Sequence, residues 1–176
     1  DMYRNGYYVE EDQKKYEQII EELYPKVKDM NNVFDPVPEV FTRLAKIRTS
    51  QGKEEEAVDL YLYAKDFLAQ RIKHNAFFGN LNIMKWLIDD LYELIEFDVE
   101  YFDFFDLYYL LKSPHKISFV YDDKEQELES VMEGDECNVC FNGKWFHSRD
   151  DFFKDACIGN TKLTAIYQDL YGFEVE

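Results

Sequence analysis

Ser113-Pro-His-Lys-Ile-Ser-Phe-Val-Tyr121 is where the pattern of this chain changes. Before it, apolar residues recur at three- and four-residue spacing, and from Lys116 to Tyr121 they alternate as in a strand. Downstream, Cys137-Asn-Val-Cys-Phe141, Asn142-Gly143 and Lys144-Trp-Phe-His147 read as a β-hairpin. Asn-Gly tolerates the positive φ angles of a type I′ turn. Ser148, with Asp151 three residues on, predicts a capped helix through Ala156. Gly159-Asn160-Thr161 predicts a break and the cap of a last helix, Lys162 to Tyr171, ended by Gly172. Phe173-Glu-Val175 then reads as a closing strand. The division falls near residue 113, giving a helical domain over 1–112 and a small α+β domain over 113–176.

Working back from that division, Glu10 to Tyr24 places Tyr16, Ile19, Ile20, Leu23 and Tyr24 on one stripe, ended by Pro25. Phe34-Asp-Pro-Val-Pro38 is a connector, since two prolines so close exclude a helix interior. Val40 to Thr49 and Lys53 to Ile72 read as two helices broken at Gly52. Asn80 to Ile95 and Val99 to Lys112 read as another pair, with Asp98 as the N-cap of the second. Were the two to fuse, Glu93, Glu96, Glu100 and Asp103 would form one acidic stripe.

Charge is the second feature. The chain carries 37 acidic against 20 basic residues, a net charge of −17. From Trp86 to Leu111 there are eight carboxylates and nine aromatic residues with no Lys or Arg. Asp122 to Glu136 carries eight more acids against Lys124. Crowded carboxylates repel and cost folding free energy unless something uses them. Aromatics beside fixed charge supply rigid contact area together with electrostatic steering. The expected partner surface is therefore Glu93, Glu96, Glu100, Tyr101, Asp103, Asp106 and Tyr108, with Asp122, Asp123 and Glu125 from the second run. A solvated face is the plain alternative for any single run.

Composition narrows the classes. At 176 residues, 46% apolar and 18% aromatic, the chain builds a real core despite its charge. Its apolar stretches fall short of a membrane span, and the strong negative charge argues against binding nucleic acid or anionic lipid. Three cysteines make no disulfide framework, which points to the cytoplasm.

No catalytic constellation emerges. Cys137-x-x-Cys140 with His147 and Cys157 is a zinc set by ligand type, but the paired cysteines lie in a strand-like run and would face opposite ways. His74, His115 and His147 are scattered, and His147 with Asp150 or Asp151 lacks a nucleophile. Asp122-Asp123 with Glu125 and Glu127 lacks the turn glycine of a calcium loop. No metal and no cofactor are expected.

Val40 to Ala69 resembles a tetratricopeptide repeat, the 34-residue helix-turn-helix unit. Phe41, Leu44-Ala45, Gly52 at the turn, Ala57, Tyr61 and Ala64 match its pattern, whereas Arg48 and Glu54 depart from it and no proline closes it. Tyr3-x-x-Gly6-x-x-Val9-x-x-Asp12 is similar to the loop of a Sel1-like repeat, with Tyr16 where that family has a small alanine. The resemblance covers residues 2 to 72, and to 112 loosely. It implies a solenoid with further repeat upstream, a concave surface for protein or peptide partners, and no chemistry.

The reading is a mainly α protein: a helical-hairpin solenoid fragment followed by a small α+β domain containing a β-hairpin. As function it predicts a non-enzymatic bacterial protein-binding module capturing a basic protein, most concretely an immunity-type inhibitor of a cationic toxin or nuclease. The alternatives are a Sel1-like scaffold organising several partners, and an enzyme housed in residues 113–176.

Overall fold

Asp12 opens the first long helix. The structure is a computed structural model describing residues 2–6, 12–134 and 136–176. A single turn, α1 (Met2–Asn5), comes first, and the Tyr3 carbonyl accepts the Asp12 N–H at 2.8 Å. Tyr7 to Glu11, which include Val9 of the Sel1-like loop pattern, lie outside the described residues. Asp12 then caps α2 (Gln13–Val27), its carboxylate accepting the Lys15 N–H at 3.0 Å. Pro25 does not end this helix as expected. It sits in the last turn, where its missing N–H removes one terminal hydrogen bond, and Lys28 still donates to Tyr24 at 2.9 Å.

α3 (Val37–Ser50) starts between the two prolines, where a missing N–H removes no helical bond. It ends at Gly52, whose φ of 71° is the left-handed conformation glycine adopts freely. Lys53 N–H donates to Arg48 O at 2.9 Å and Gly52 N–H to Thr49 O at 3.0 Å, the paired bonds of a Schellman stop. α4 (Glu54–His74) follows with three glutamates in its first turn, where negative charge favours the helix dipole.

Two compact units divide the chain, Asp1–Leu68 and Ala69–Glu176, and the division falls inside α4. In the first unit, Tyr16 and Ile20 of α2 are buried with Leu44 and Ile47 of α3, and Leu60 of α4 packs on them. Arg48 pairs with Glu21 on α2 and with Glu56 on α4, the latter at 2.9 Å. That guanidinium holds the Glu21 carboxyl below its ordinary range.

In the second unit α5 (Phe78–Leu91) is followed by a stretch without regular structure. A 3₁₀ turn, Phe104–Asp106, then leads into one turn of helix, α6 (Leu107–Leu110). The expected helix Asn80–Ile95 thus forms but ends four residues early, at Leu91, whereas the expected Val99–Lys112 is reduced to the 3₁₀ turn and α6. Asp98 accepts the Glu100 N–H at 2.8 Å in a local turn, while Asp103 is the true cap, exchanging bonds with Asp106. No acidic helical stripe forms.

The strands are β1 (Lys116–Tyr121), β2 (Lys124–Glu133), β3 (Glu136–Phe141), β4 (Lys144–Phe146), β5 (Cys157–Ile158), β6 (Thr161–Lys162) and β7 (Tyr171–Val175). Five make an antiparallel sheet in the order β4-β3-β2-β1-β7, and β5 with β6 form a small separate ribbon. Asn142 and Gly143 have φ of 47° and 81°, the turn their sequence expects. Ser148 accepts the Asp151 N–H at 3.0 Å and starts α7 (Arg149–Asp155). The last expected helix is only α8 (Leu163–Ile166) plus a 3₁₀ turn, Tyr167–Asp169.

The sheet is wider than a lone hairpin, because β2 fills the second acidic run. Its inner face carries Ile117, Phe119, Leu128, Val139 and Phe141, all buried. Phe104, Phe105 and Tyr108 stack with Phe152 and Phe153 of α7, with Tyr108 and Phe153 at 3.7 Å between ring centroids. Residues 69–112 thus belong with the sheet, and the compact units divide at 68/69 rather than at 112/113. The protein is mixed: helices, then a helix-backed antiparallel sheet. Among the described residues no helix is long and apolar enough to cross a membrane.

Candidate functional site

Period-two alternation decides which side chains the sheet shows to solvent. Along β2, Gln126, Leu128 and Ser130 are buried, while Glu125, Glu127, Glu129 and Val131 are exposed. The antiparallel registers carry the exposed face sideways. Glu129 sits opposite Lys116 on β1 and Cys140 on β3, and Cys140 opposite Trp145 on β4. Glu127 sits opposite Ser118, which faces Glu174 on β7, and Glu176 and Lys116 exchange backbone bonds at 2.8 and 3.2 Å. The outcome is a shallow depression of about 450 Å³ over the outer face, lined by Glu125, Glu127, Glu129, Glu174 and Glu176 with Lys116.

Neighbouring carboxylates stand about 7 Å apart along β2, and those of β2 and β7 are about 10 Å apart with β1 between them, Lys116 lying between Glu129 and Glu176. Among the described residues none of these five glutamates makes an ion pair within 4 Å. The rim holds Trp145, 55% exposed. Asn142 steadies one end, accepting the Glu127 N–H at 3.1 Å and donating to Gln126 at 2.8 Å. The arrangement is a negative field containing Lys116, with one large exposed aromatic beside it.

The expected partner residues fall into three groups. Asp122, Asp123 and Glu125 adjoin this face: the two aspartates form the β1–β2 turn at φ of 51° and 55°. Asp123 accepts the Tyr171 hydroxyl at 3.1 Å, and that bond pushes the phenol's pKa upward. Glu93, Glu96, Glu100 and Tyr101 are exposed in the segment after α5, Tyr101 at 80%. Asp103, Asp106 and Tyr108 are corrections. Asp103 is a helix cap, Asp106 is its buried reciprocal partner, and Tyr108 lies wholly inside.

Four other aromatics in and beside that segment pack on one another. Tyr92, Phe97, Phe102 and Tyr109 meet at 4.9 to 5.5 Å, and Phe102 continues to Phe173 at 5.2 Å. These four rings are half-buried, while Tyr101 and the loop's acids Glu93, Glu96 and Glu100 stay exposed beside them. Burial, aided by Asp106, raises the Tyr92 phenol well above its ordinary range.

Glu127, Glu129, Glu174, Glu176 and Trp145 were not read as partner residues from the sequence. For Glu127 and Glu129 the signal was the alternation in Glu125-Gln-Glu-Leu-Glu-Ser-Val131, blurred because two inward positions are polar. Cys137 and Cys140 both lie in β3, three residues apart and so on opposite faces. Among the described residues no three His, Cys, Asp or Glu side chains gather as a metal site. No family model, curated protein or solved structure matches the chain.

Proposed function

We propose that this protein is a non-enzymatic binding module that captures a basic protein on the outer face of its sheet. The observation carrying the reading is the row of glutamates 125, 127, 129, 174 and 176, exposed and, among the described residues, with no ion pair within 4 Å. Like charges held together by a ladder cost stability, and a cationic partner relieves that repulsion as it steers in. The most concrete form is an immunity-type inhibitor of a cationic toxin or nuclease, whose carboxylates stand where substrate phosphates would. The cytoplasm is the compartment this role suits.

A second reading, a tetratricopeptide- or Sel1-like scaffold, is favoured by a different feature. The Schellman turn at Gly52 and the full burial of Ala45, Ala57 and Ala64 support a helical hairpin. A depression of about 480 Å³ in the first unit is lined by Tyr24, Phe41, Arg48, Leu60 and Tyr63. Such a groove suits a peptide.

Affinity capture from the native source, followed by kinetics on the purified pair, separates the two. The expected result is a one-to-one complex with a basic protein, whose association slows about tenfold or more in Glu127→Lys/Glu129→Lys and with rising salt. The matched loop variant Glu93→Lys/Glu96→Lys should slow it less. A partner indifferent to the sheet substitutions overturns the proposal.

A further inference from the structure

β7 is one margin of the sheet, and among the described residues no strand pairs with its outer side. The other margin, β4, has three residues and begins at Lys144, so it offers little length and a repelling charge to a basic chain. The N-terminal half of β7 is irregular: its register with β1 shifts between Ser118 and Val120, and Gly172 stands at φ of 64°. From Glu174 to Glu176 the ladder is regular, with Ser118 opposite Glu174, Ile117 opposite Val175 and Lys116 bonded to Glu176, while Phe173 adjoins the bulge.

The hydrogen bonds of this half fix which groups point outward. Lys116 and Glu176 exchange both backbone bonds. In an antiparallel ladder reciprocal bonding recurs at every second residue, so Glu174 and Glu176 turn their main-chain groups toward β1. Phe173 and Val175 turn theirs to the open margin. Their side chains are half-buried toward the inner face, whereas Glu174 and Glu176 are exposed on the acidic one.

We infer that the open margin of β7 takes an extended segment of a basic partner as an added antiparallel strand. The inference rests on the function proposed above and names how the partner is held. In that register the incoming residues bonded to Phe173 and Val175 share their inner face and are apolar. The residues between them stand opposite Glu174 and Glu176 in non-hydrogen-bonded pairs, where side chains come closest, and are Lys or Arg. Glu127 and Glu129, two strands inward, extend the same negative field. The recognised pattern is thus alternating basic and apolar, with main-chain bonds supplying affinity and carboxylates supplying choice.

The test uses the full chain and a fluorescent heptapeptide, Lys-Val-Lys-Val-Lys-Val-Lys, beside an analogue N-methylated at its valines. The first should bind and should slow hydrogen exchange at the Phe173 and Val175 amides. The analogue keeps every charge but loses the edge bonds, and should bind at least about tenfold more weakly. Val175→Pro, which removes an outward N–H at a position where an edge strand tolerates proline, should weaken the first peptide similarly. Its circular dichroism reports whether the sheet survives. Equal binding of the two peptides, or protection only at β4, would overturn the inference. A native partner sensitive to Glu127→Lys/Glu129→Lys but indifferent to Val175→Pro would remove this inference and leave the proposed function standing.

Discussion

Arg149 grips Asp89 with two prongs: Nη1 donates to Oδ1 at 3.3 Å and Nη2 to Oδ2 at 2.9 Å. The same guanidinium donates to the Tyr108 carbonyl, so the start of α7 is tied to α5 and to α6 at once. Lys112 joins Asp89 at 3.0 Å. Both members of the pair are largely shielded, at 15% and 23% exposure, so solvent weakens them less than a surface pair.

Arg149→Met should therefore destabilise the chain by about 1.5–3 kcal/mol, because charge-assisted bonds are lost and the Tyr108 carbonyl is stranded. Asp89→Ala should cost a similar amount, and the double variant less than the sum of the two. Urea unfolding of all three checks this. Additive losses would mean that the two residues do not act as a pair.

Ala64 is fully buried in α4. If it marks a close helix approach, Ala64→Leu overpacks that contact and lowers stability by about 1–3 kcal/mol. Glu55→Ala, on the exposed first turn, should be nearly neutral. Equal urea midpoints would remove the support for a helical-hairpin repeat.

Stability should fall in alkali. Burial raises the Tyr108 and Tyr92 phenols above the ordinary value of 10.0. Their unfolded forms ionise first, so the stabilisation is complete below about pH 10 and is lost as pH climbs toward the folded values. At the acid end, the lowered Glu21 carboxyl contributes above the ordinary 4.5, and that contribution fades as pH falls below it. Urea midpoints measured from pH 8 to pH 11.5 and from pH 6 to pH 3 should show both declines. A flat alkaline limb would contradict the tyrosine environment described.

Protein purified without chelator should hold clearly substoichiometric zinc, and chelator should leave its melting temperature unchanged, since a structural zinc contributes folding free energy directly. One tightly held zinc per chain would make ligands of Cys137, Cys140, His147 and Cys157.

Local chemistry was legible wherever a few adjacent residues suffice. Asn142-Gly143 dictates a type I′ turn, Ser148 a helix start, Gly52 a helix stop, and Lys116–Tyr121 a half-buried strand. Each rests on φ preference, one hydrogen bond or a clean period, and none needs a distant partner. Length was harder to read. Val99 to Lys112 has helical spacing, yet Asp103 and Asp106 bind each other and the chain starts its helix there, so only α6 remains.

By itself, then, the sequence determined an acidic protein of helices followed by β structure, with its turns in place. Only the tertiary structure decided which acids face water together. Glu174 and Glu176 lie some fifty residues from Glu127 and Glu129, and antiparallel pairing of β7 with β1 unites them on one face. Asp106 and Tyr108, chemically suited to a partner, were taken into the interior instead. The reason is physical: burial is a property of packed layers, and Phe153 covers the Tyr108 ring only once α7 has folded back over the sheet.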